Sequence, residues 1–162
     1  PNIVSLEAAF AYVGTCLLEG SNLSEGRGTE APFLQFGAPF IDGARTAEAL
    51  RSVGLAGVEF EPVQFTPTPR KGATTPRFNG QRCGGVRLRI VNRNTLRPWR
   101  CGIEILYMLT RLYDEKVRFT SYLDTLAGIG SVWSATRDTV LRRERDEVAA
   151  FSRQRAPYLL YR

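Results

Sequence analysis

A chain of 162 residues with a hydrophobic fraction of 43% has the length of one domain and enough apolar matter for a packed core, which excludes a disordered chain. Its 22 Lys and Arg against 16 Asp and Glu leave a net charge of +6; this favours acidic partners such as nucleic acid, anionic glycans or a membrane surface, or simply keeps the protein soluble. Histidine is absent, so a Ser-His-Asp triad, a Cys-His dyad and an HExxH zinc site are excluded within this chain, and carboxylates, tyrosines, lysines and backbone donors are left for chemistry.

In chain order, the first predicted element is a short helix from Ser5 to Gly14. Ser5 suits its N-cap and Gly14 its close, and Leu6, Ala9, Phe10 and Val13 recur at i, i+3, i+4, i+7 as one apolar face. Cys16-Leu17-Leu18 reads as a short buried strand. From its end runs EGSNLSEGRGT, residues 19–29, with one leucine among glycines, charges, hydroxyls and amides. Such a stretch is expected outside the core, as a loop built to hold something. Residues 33–40 return as an extended segment broken at Gly37 and Pro39. Asp42 caps a helix over 43–53, with Ala47, Leu50 and Val53 as its stripe and Gly54 as its terminal glycine.

Residues 58–65 form a strand with an interruption. Val58 and Phe60 alternate, Pro62 intervenes, and Val63 and Phe65 alternate in the opposite phase, which marks a bulge or a sheet edge. Residues 66–80, rich in Pro, Thr, Gly and basic side chains, are the longest irregular stretch, of the kind that is functional or mobile. The cleanest strand follows, with Val86, Leu88 and Ile90 on one face and Arg87 and Arg89 solvated on the other. A helix over 101–113 buries Ile105, Met108, Leu109 and Leu112. Two more helical stretches span about 121–136 and 138–154, and the apolar ending Ala156-Pro157-Tyr158-Leu159-Leu160-Tyr161 is expected to dock on the body. The order predicts an α+β fold. It is a single compact domain over residues 1–162, with a small mixed β-sheet flanked by helices and a mostly helical C-terminal half.

No apolar run approaches the ~18 residues of a membrane span. The chain opens on Pro1-Asn2-Ile3 with no start methionine or signal-peptide pattern, as a mature product or a piece of a longer chain does. Cys16, Cys83 and Cys101, an odd number at wide spacing without a CxxC, argue against a zinc site; at most one disulfide can form, and each thiol reads as a small buried apolar group. Two lysines, Lys71 and Lys116, argue against Schiff-base chemistry. Trp99 and Trp133 read as core or rim packing. Arginines at 137, 142, 143, 145, 153 and 155 interleave with Asp138, Glu144, Asp146 and Glu147, the pattern of a mixed-charge exposed helix rather than a nucleic-acid stripe.

Chemistry concentrates in the 19–29 loop. Glycines at 20, 26 and 28 permit backbone angles that side chains forbid, and successive amides in such turns can cradle an anion. Arg27 stands between two of them, while Glu19, Asn22, Ser24 and Thr29 offer directional hydrogen bonds of the mixture a sugar or carboxylate requires. The alternative is a tight loop whose side chains cap its own backbone. Gly26-Arg27-Gly28 has the spacing of neither a Walker nor a dinucleotide motif. Cys83-Gly84-Gly85-Val86 marks a close backbone approach to a ligand or another chain, or a bulge at a strand start.

The run Thr15 to Thr29, Gly37-Ala38-Pro39-Phe40, Phe65-Thr66-Pro67-Thr68, Cys83-Gly84-Gly85-Val86 and Arg155-Ala156-Pro157-Tyr158-Leu159-Leu160-Tyr161 occur in this order. Together they resemble the C-terminal domain of the exo-β-N-acetylmuramidase (NamZ) family, bacterial peptidoglycan-recycling glycoside hydrolases. The resemblance covers essentially the whole chain. It implies a larger N-terminal Rossmann-like domain, absent from this chain, that carries the catalytic glutamate. An active site in the cleft between the domains would remove terminal N-acetylmuramic acid (MurNAc) from peptidoglycan fragments. The Arg137–Arg153 region is more arginine-rich than the family pattern.

On this reading the chain holds no catalytic residue and no cofactor or metal. Glu19, Asn22, Ser24, Gly26, Arg27, Gly28, Thr29, Thr66 and Thr68 are the candidates for the substrate or the domain cleft. The partners are MurNAc glycans and the N-terminal domain of the same protein, with no nucleic acid and no membrane span. The location is extracytoplasmic or secreted, with a cytoplasmic one left open. Muramic acid carries a lactyl carboxylate that Arg27 can meet with its fork. Two readings compete with it: a stand-alone non-catalytic glycan-binding module, and a basic nucleic-acid-binding domain that lacks any recognised motif. The expectations are concrete. The chain alone has no glycosidase activity, Glu19 and Glu25 keep ordinary acidity in an exposed loop, and an apolar patch left open by the missing domain lies beside the 19–29 loop and Phe65–Thr68.

Overall fold

The computed structural model describes residues 3–130, 132 and 134–161. Among them the elements are α1 (Leu6–Thr15), β1 (Gln35–Ala38), α2 (Gly43–Ser52), β2 (Val58–Phe65), β3 (Cys83–Ile90), α3 (Pro98–Tyr113), α4 (Tyr122–Ala127) and α5 (Arg137–Arg155). The architecture is α+β, with its core between the sheet and α1, α2 and α3.

The Ser5 hydroxyl caps α1 by accepting from the Ala8 amide at 3.0 Å. The face that then packs is only partly the one its large residues suggest. Leu6 and Val13 are exposed, while Ala8, Ala11, Gly14 and Thr15 are buried. Gly14 does not end the helix but lies at its crossing with α3. A Cβ there would fall 1.9 Å from the Pro98 carbonyl oxygen, and one on Gly102 would fall 2.3 Å from that of Gly14. Two backbones in near contact leave room only for small residues. Beyond α1, Cys16–Gly20 tightens into a 3-10 turn rather than extending as a strand, as helix ends commonly do.

The sheet has the order β1-β3-β2 and is antiparallel throughout, not mixed. No strand–helix–strand crossover joins neighbours here, so nothing imposes a parallel pair. The β2–β3 register runs unbroken from Val58↔Ile90 to Phe65↔Cys83. Pro62 therefore marks an edge strand, where its missing N–H costs no ladder bond, and not a bulge. The change of phase is a change of face: Val58 and Phe60 are buried, whereas Val63 and Phe65 are half-buried on the other side. Gly37 does not break β1 but pairs with Gly85. Gly84 and Gly85 also lie inside a regular strand. A Cβ on either would sit 2.1 Å from the Ile41 oxygen or 2.0 Å from that of Phe36. The close approach is to the chain's own backbone.

Helix α2 matches its sequence pattern. The Asp42 carboxylate accepts from the Arg45 amide at 3.1 Å, Ala47 and Leu50 are buried, and Gly54 adopts φ 72°. Helix α3 starts earlier than its apolar spacing suggests, with Pro98 in its first turn, and buries six consecutive residues from Cys101 to Leu106. Ile105 and Leu109 are buried as expected; Met108 and Leu112 are half-buried. Trp99 packs on the rim of this core; Trp133 lies outside the described residues. All three cysteines are free and buried, and burial pushes the Cys83 thiol up to about 11 and the Cys101 thiol to about 12.

Among the described residues, the stretch expected as one helix over 121–136 contains only α4, stopped by Gly128 at φ 70°. In α5 the buried residue is Val140, and every residue from Arg145 to Tyr161 is exposed. The apolar ending therefore does not dock on the body. Nor does the large exposed apolar surface lie beside Phe65–Thr68. Apart from Val91 and Tyr122, it belongs to the two ends of the chain, Ile3 to Val13 and Val148 to Tyr161. No helix among the described residues is long and apolar enough to cross a membrane.

Candidate functional site

The 19–29 segment is not a solvated loop. Ser21, Leu23, Ser24 and Glu25 are all buried, because the segment is threaded between other parts of the chain. It bridges to Phe119 through Ser21 and to Gly37 through Ser24. Its polar side chains serve this frame. The Asn22 amide donates to the Lys116 oxygen at 2.8 Å and accepts from the Arg118 amide at 2.9 Å. The Ser24 hydroxyl accepts from the Gly26 amide at 3.2 Å. The Thr29 hydroxyl donates to the Gly26 oxygen at 2.6 Å and accepts from the Gln35 amide at 3.0 Å. Gly26 and Gly28 hold φ 82° and 80°, where a side chain would be strained. Gly28 also gives the 66–80 segment a seat: its oxygen accepts from the Thr68 amide at 2.9 Å, and a Cβ would fall 2.6 Å from Pro76. The side chains of Thr66 and Thr68 are exposed, and neither lines the cleft described next.

This frame presents Glu19, Glu25 and Arg27 together. Arg27 Nη1 donates to Glu19 Oε2 at 2.9 Å and to Glu25 Oε1 at 3.2 Å. The guanidinium carbon sits 5.0 Å from the centroid of the Phe33 ring, a cation–π distance, and Tyr12 meets the same ring edge-on at 4.8 Å. Phe33 is buried at φ 65°, a costly conformation for an aromatic residue. It is held there by its amide on the Glu25 oxygen at 2.8 Å and by the Thr15 hydroxyl on its own oxygen at 2.9 Å. One nitrogen of the Arg27 fork is thus committed. Nη2 makes no hydrogen bond among the described residues, and Nε is buried without a partner.

Burial decides the electrostatics of Glu25. Glu25 is 7% exposed, and burial raises its pKa above the ordinary 4.5, with backbone hydrogen bonds and the Arg27 charge pulling part of the way back. The expectation of ordinary acidity fails there, because the loop is inside. Burial works against the Arg27 charge too, but hydrogen bonds and charge from Glu19 and Glu25 outweigh it, and its pKa is raised. Tyr12 is raised by burial and by Glu19.

Glu19, Glu25 and Arg27 line an open cleft of about 580 Å³ together with Arg77, Thr74, Thr75 and Tyr122. Two acids and two guanidiniums with hydroxyls and one aromatic face are a lining for a polar ligand that carries both hydroxyls and a charge. Of the sequence candidates, the structure brings Glu19 and Arg27 into the cleft. It places Asn22, Ser24, Gly26, Gly28 and Thr29 behind them as framework and leaves Thr66 and Thr68 out of its lining. Glu25, Arg77, Thr74, Thr75 and Tyr122 are cleft residues that the sequence did not single out as binding. The long 66–80 stretch was a signal for three of them; Tyr122, at the start of the stretch expected as a helix over about 121–136, had none.

Comparisons with known proteins show the family and the fold. The family model described as "Exo-beta-N-acetylmuramidase NamZ, C-terminal" matches residues 10–161. The "Peptidoglycan beta-N-acetylmuramidase NamZ" of Bacillus subtilis (strain 168) is 35% identical over 170 residues, which span 99% of this chain and 39% of that protein. Crystal structures of two DUF1343 family proteins from Bacteroides fragilis NCTC 9343 superpose on all of this chain. They do so with TM-scores of 0.86 and 0.69 at 22% and 26% identity, over 44% and 43% of their own chains. The chain therefore spans about two fifths of the length of the relatives it matches.

Proposed function

This chain belongs to the family of NamZ C-terminal domains, and from that membership we propose that it forms one wall of a glycosidase cleft that receives terminal MurNAc of peptidoglycan fragments. The other wall, with the catalytic glutamate, is an N-terminal domain of the same protein. On this reading the protein works outside the cytoplasm, where intact peptidoglycan lies. The observation that carries the proposal is Arg27: Glu19 and Glu25 fix it through one nitrogen, and its second amino group stays unbonded in an open cleft. The lactyl carboxylate that distinguishes MurNAc from N-acetylglucosamine is a ligand for that group, while Glu19 and Glu25 accept from sugar hydroxyls.

Binding of MurNAc and of N-acetylglucosamine to this chain, followed by amide chemical shifts, tests the reading. A preference for MurNAc of roughly tenfold or more, about 1.4 kcal/mol, and its loss in Arg27→Ala are expected. Equal binding of the two sugars, or an unchanged preference in the variant, overturns the role of Arg27. The chain alone is expected to leave a chromogenic MurNAc glycoside intact, because glycoside hydrolysis needs a placed pair of acid groups about the scissile bond and the catalytic one lies in the other domain. Turnover by the chain alone that disappears in Glu25→Gln would move the chemistry into this domain.

A further inference from the structure

The last seventeen described residues form an arm that is exposed throughout, although Arg145, Val148 and Ala149 at its root still border a groove against Arg97 and Arg100. From Arg145 onward every residue of α5 and of the segment after it is exposed. The helix extends roughly 16 Å past that point, at 1.5 Å per residue. Its apolar side runs outward from the anchored end: Val140 is buried, Leu141 packs on the core, and Val148 and Phe151 continue the same stripe into solvent. The stripe ends in Tyr158, Leu159, Leu160 and Tyr161, of which three are 82%, 91% and 89% exposed. Helices of this length gain most of their stability from packing of an amphipathic face, and here the outer turns have no such packing. Contiguous apolar surface of this kind marks an interaction site.

The arm is part of the domain and not an appendage, since the family match runs to residue 161. Its large apolar side chains from Phe151 onward nevertheless stay exposed on the domain. The relatives carry about three fifths of their length outside the part matched by this chain. The chemistry of the arm also describes its seat. Arg142, Arg153 and Arg155 make no ion pair among the described residues, so they flank the stripe with free positive charge. A complementary surface is an apolar groove with an acidic rim.

We propose that residues 148–161 clasp the N-terminal domain of the same protein, with Phe151, Tyr158, Leu160 and Tyr161 in an apolar groove and Arg153 and Arg155 against carboxylates at its edge. The clasp rests on the two-domain reading above and adds to it a second tie between the domains, apart from the sugar cleft. It makes the cleft a closed assembly whose geometry depends on a contact remote from Arg27.

Hydrogen exchange of the full-length protein against this 162-residue chain tests the proposal. In the chain alone the amides of 148–161 are expected to exchange as in a frayed helix. In the full-length protein they are expected to exchange roughly 100-fold more slowly. Leu160→Asp with Tyr161→Ser is expected to abolish that protection and to lower MurNAc-glycosidase turnover, while leaving the melting of the isolated chain unchanged. Protection that survives this double change overturns the assignment of the anchor. Equal exchange in both proteins overturns the clasp, and if turnover of a MurNAc glycoside is intact the function stands without it. Protection with no such turnover keeps the clasp and removes the function. Protection of the isolated chain that grows with its concentration assigns the arm to a second copy and overturns the proposal.

Discussion

Arg27, Glu19 and Glu25 make a test of how a buried acid is kept charged. Glu25 has its pKa raised by burial, and Arg27 is among the groups that hold it down. A carboxyl that binds its proton more readily folded than unfolded stabilises the fold in acid. That contribution is lost as pH rises from about 4.5 through the raised folded value, and stability is flat above it. Arg27→Ala removes an attraction and raises the folded value further, so the loss of melting temperature between acid and neutral pH is expected to be larger than in the wild type. Adding Glu25→Gln to Arg27→Ala is expected to flatten the profile again. Thermal melts at a series of pH values decide it, and parallel profiles for wild type and Arg27→Ala would show that the guanidinium does not hold the Glu25 charge. The type of residue in this cluster was readable from EGSNLSEGRGT, but its burial was not. Polar composition suggested a solvated loop, whereas Asn22, Ser24 and Thr29 spend their polar atoms on backbone and neighbouring groups inside the fold, which is the arrangement that allows polar chain to be buried.

Among the elements, those with a cap and a clean period were legible. Asp42 and Gly54 bounded α2, and the alternation of Val86, Leu88 and Ile90 fixed the faces of β3. In α1 the same reasoning found only part of the face: Phe10 packs on the core, but Leu6 and Val13 are exposed, since periodicity weighs large residues and the crossing at Gly14 and Gly102 is made of small ones. The join of α5 to the body was not legible, because beside the packing of Val140 and Leu141 it uses a buried charge. Glu104 in α3 is buried and receives both Nε and Nη2 of Arg137 at 2.7 and 2.6 Å, with Arg100 farther off at 3.9 Å. Breaking such a pair from one side leaves a carboxylate in the core. Arg137→Met is expected to destabilise by about 2–3 kcal/mol, below the full cost of a wholly buried pair because Arg137 is partly solvated. Replacing both, with Glu104→Leu, is expected to restore most of that. Denaturant unfolding of the single and double variants measures it; a double variant that is no more stable than the single one would mean that the ion pair itself, and not relief of an unpaired charge, is what holds α5.

For the molecule as a whole, the fold class could be read from the order of helical and alternating segments, and the family from five short motifs in order, several of which hold glycines where backbones touch. The surfaces that face other bodies could not be read, because an apolar residue has the same letter whether it packs inward or waits for a partner. Tyr158 to Tyr161 looked like a segment that docks on this domain, and it stands free instead. That difference has a direct consequence for stability. A segment in contact with the body contributes to its melting; one without contacts does not, and surface changes away from packed features stay within about 0.5 kcal/mol. Deleting residues 148–161 from this chain is therefore expected to shift its melting temperature by no more than about 1–2 °C while reducing its tendency to associate, as read by light scattering. A large drop in melting temperature would place the arm on the body of its own domain in solution, and the surface assigned to the N-terminal domain would then be occupied before that domain arrives.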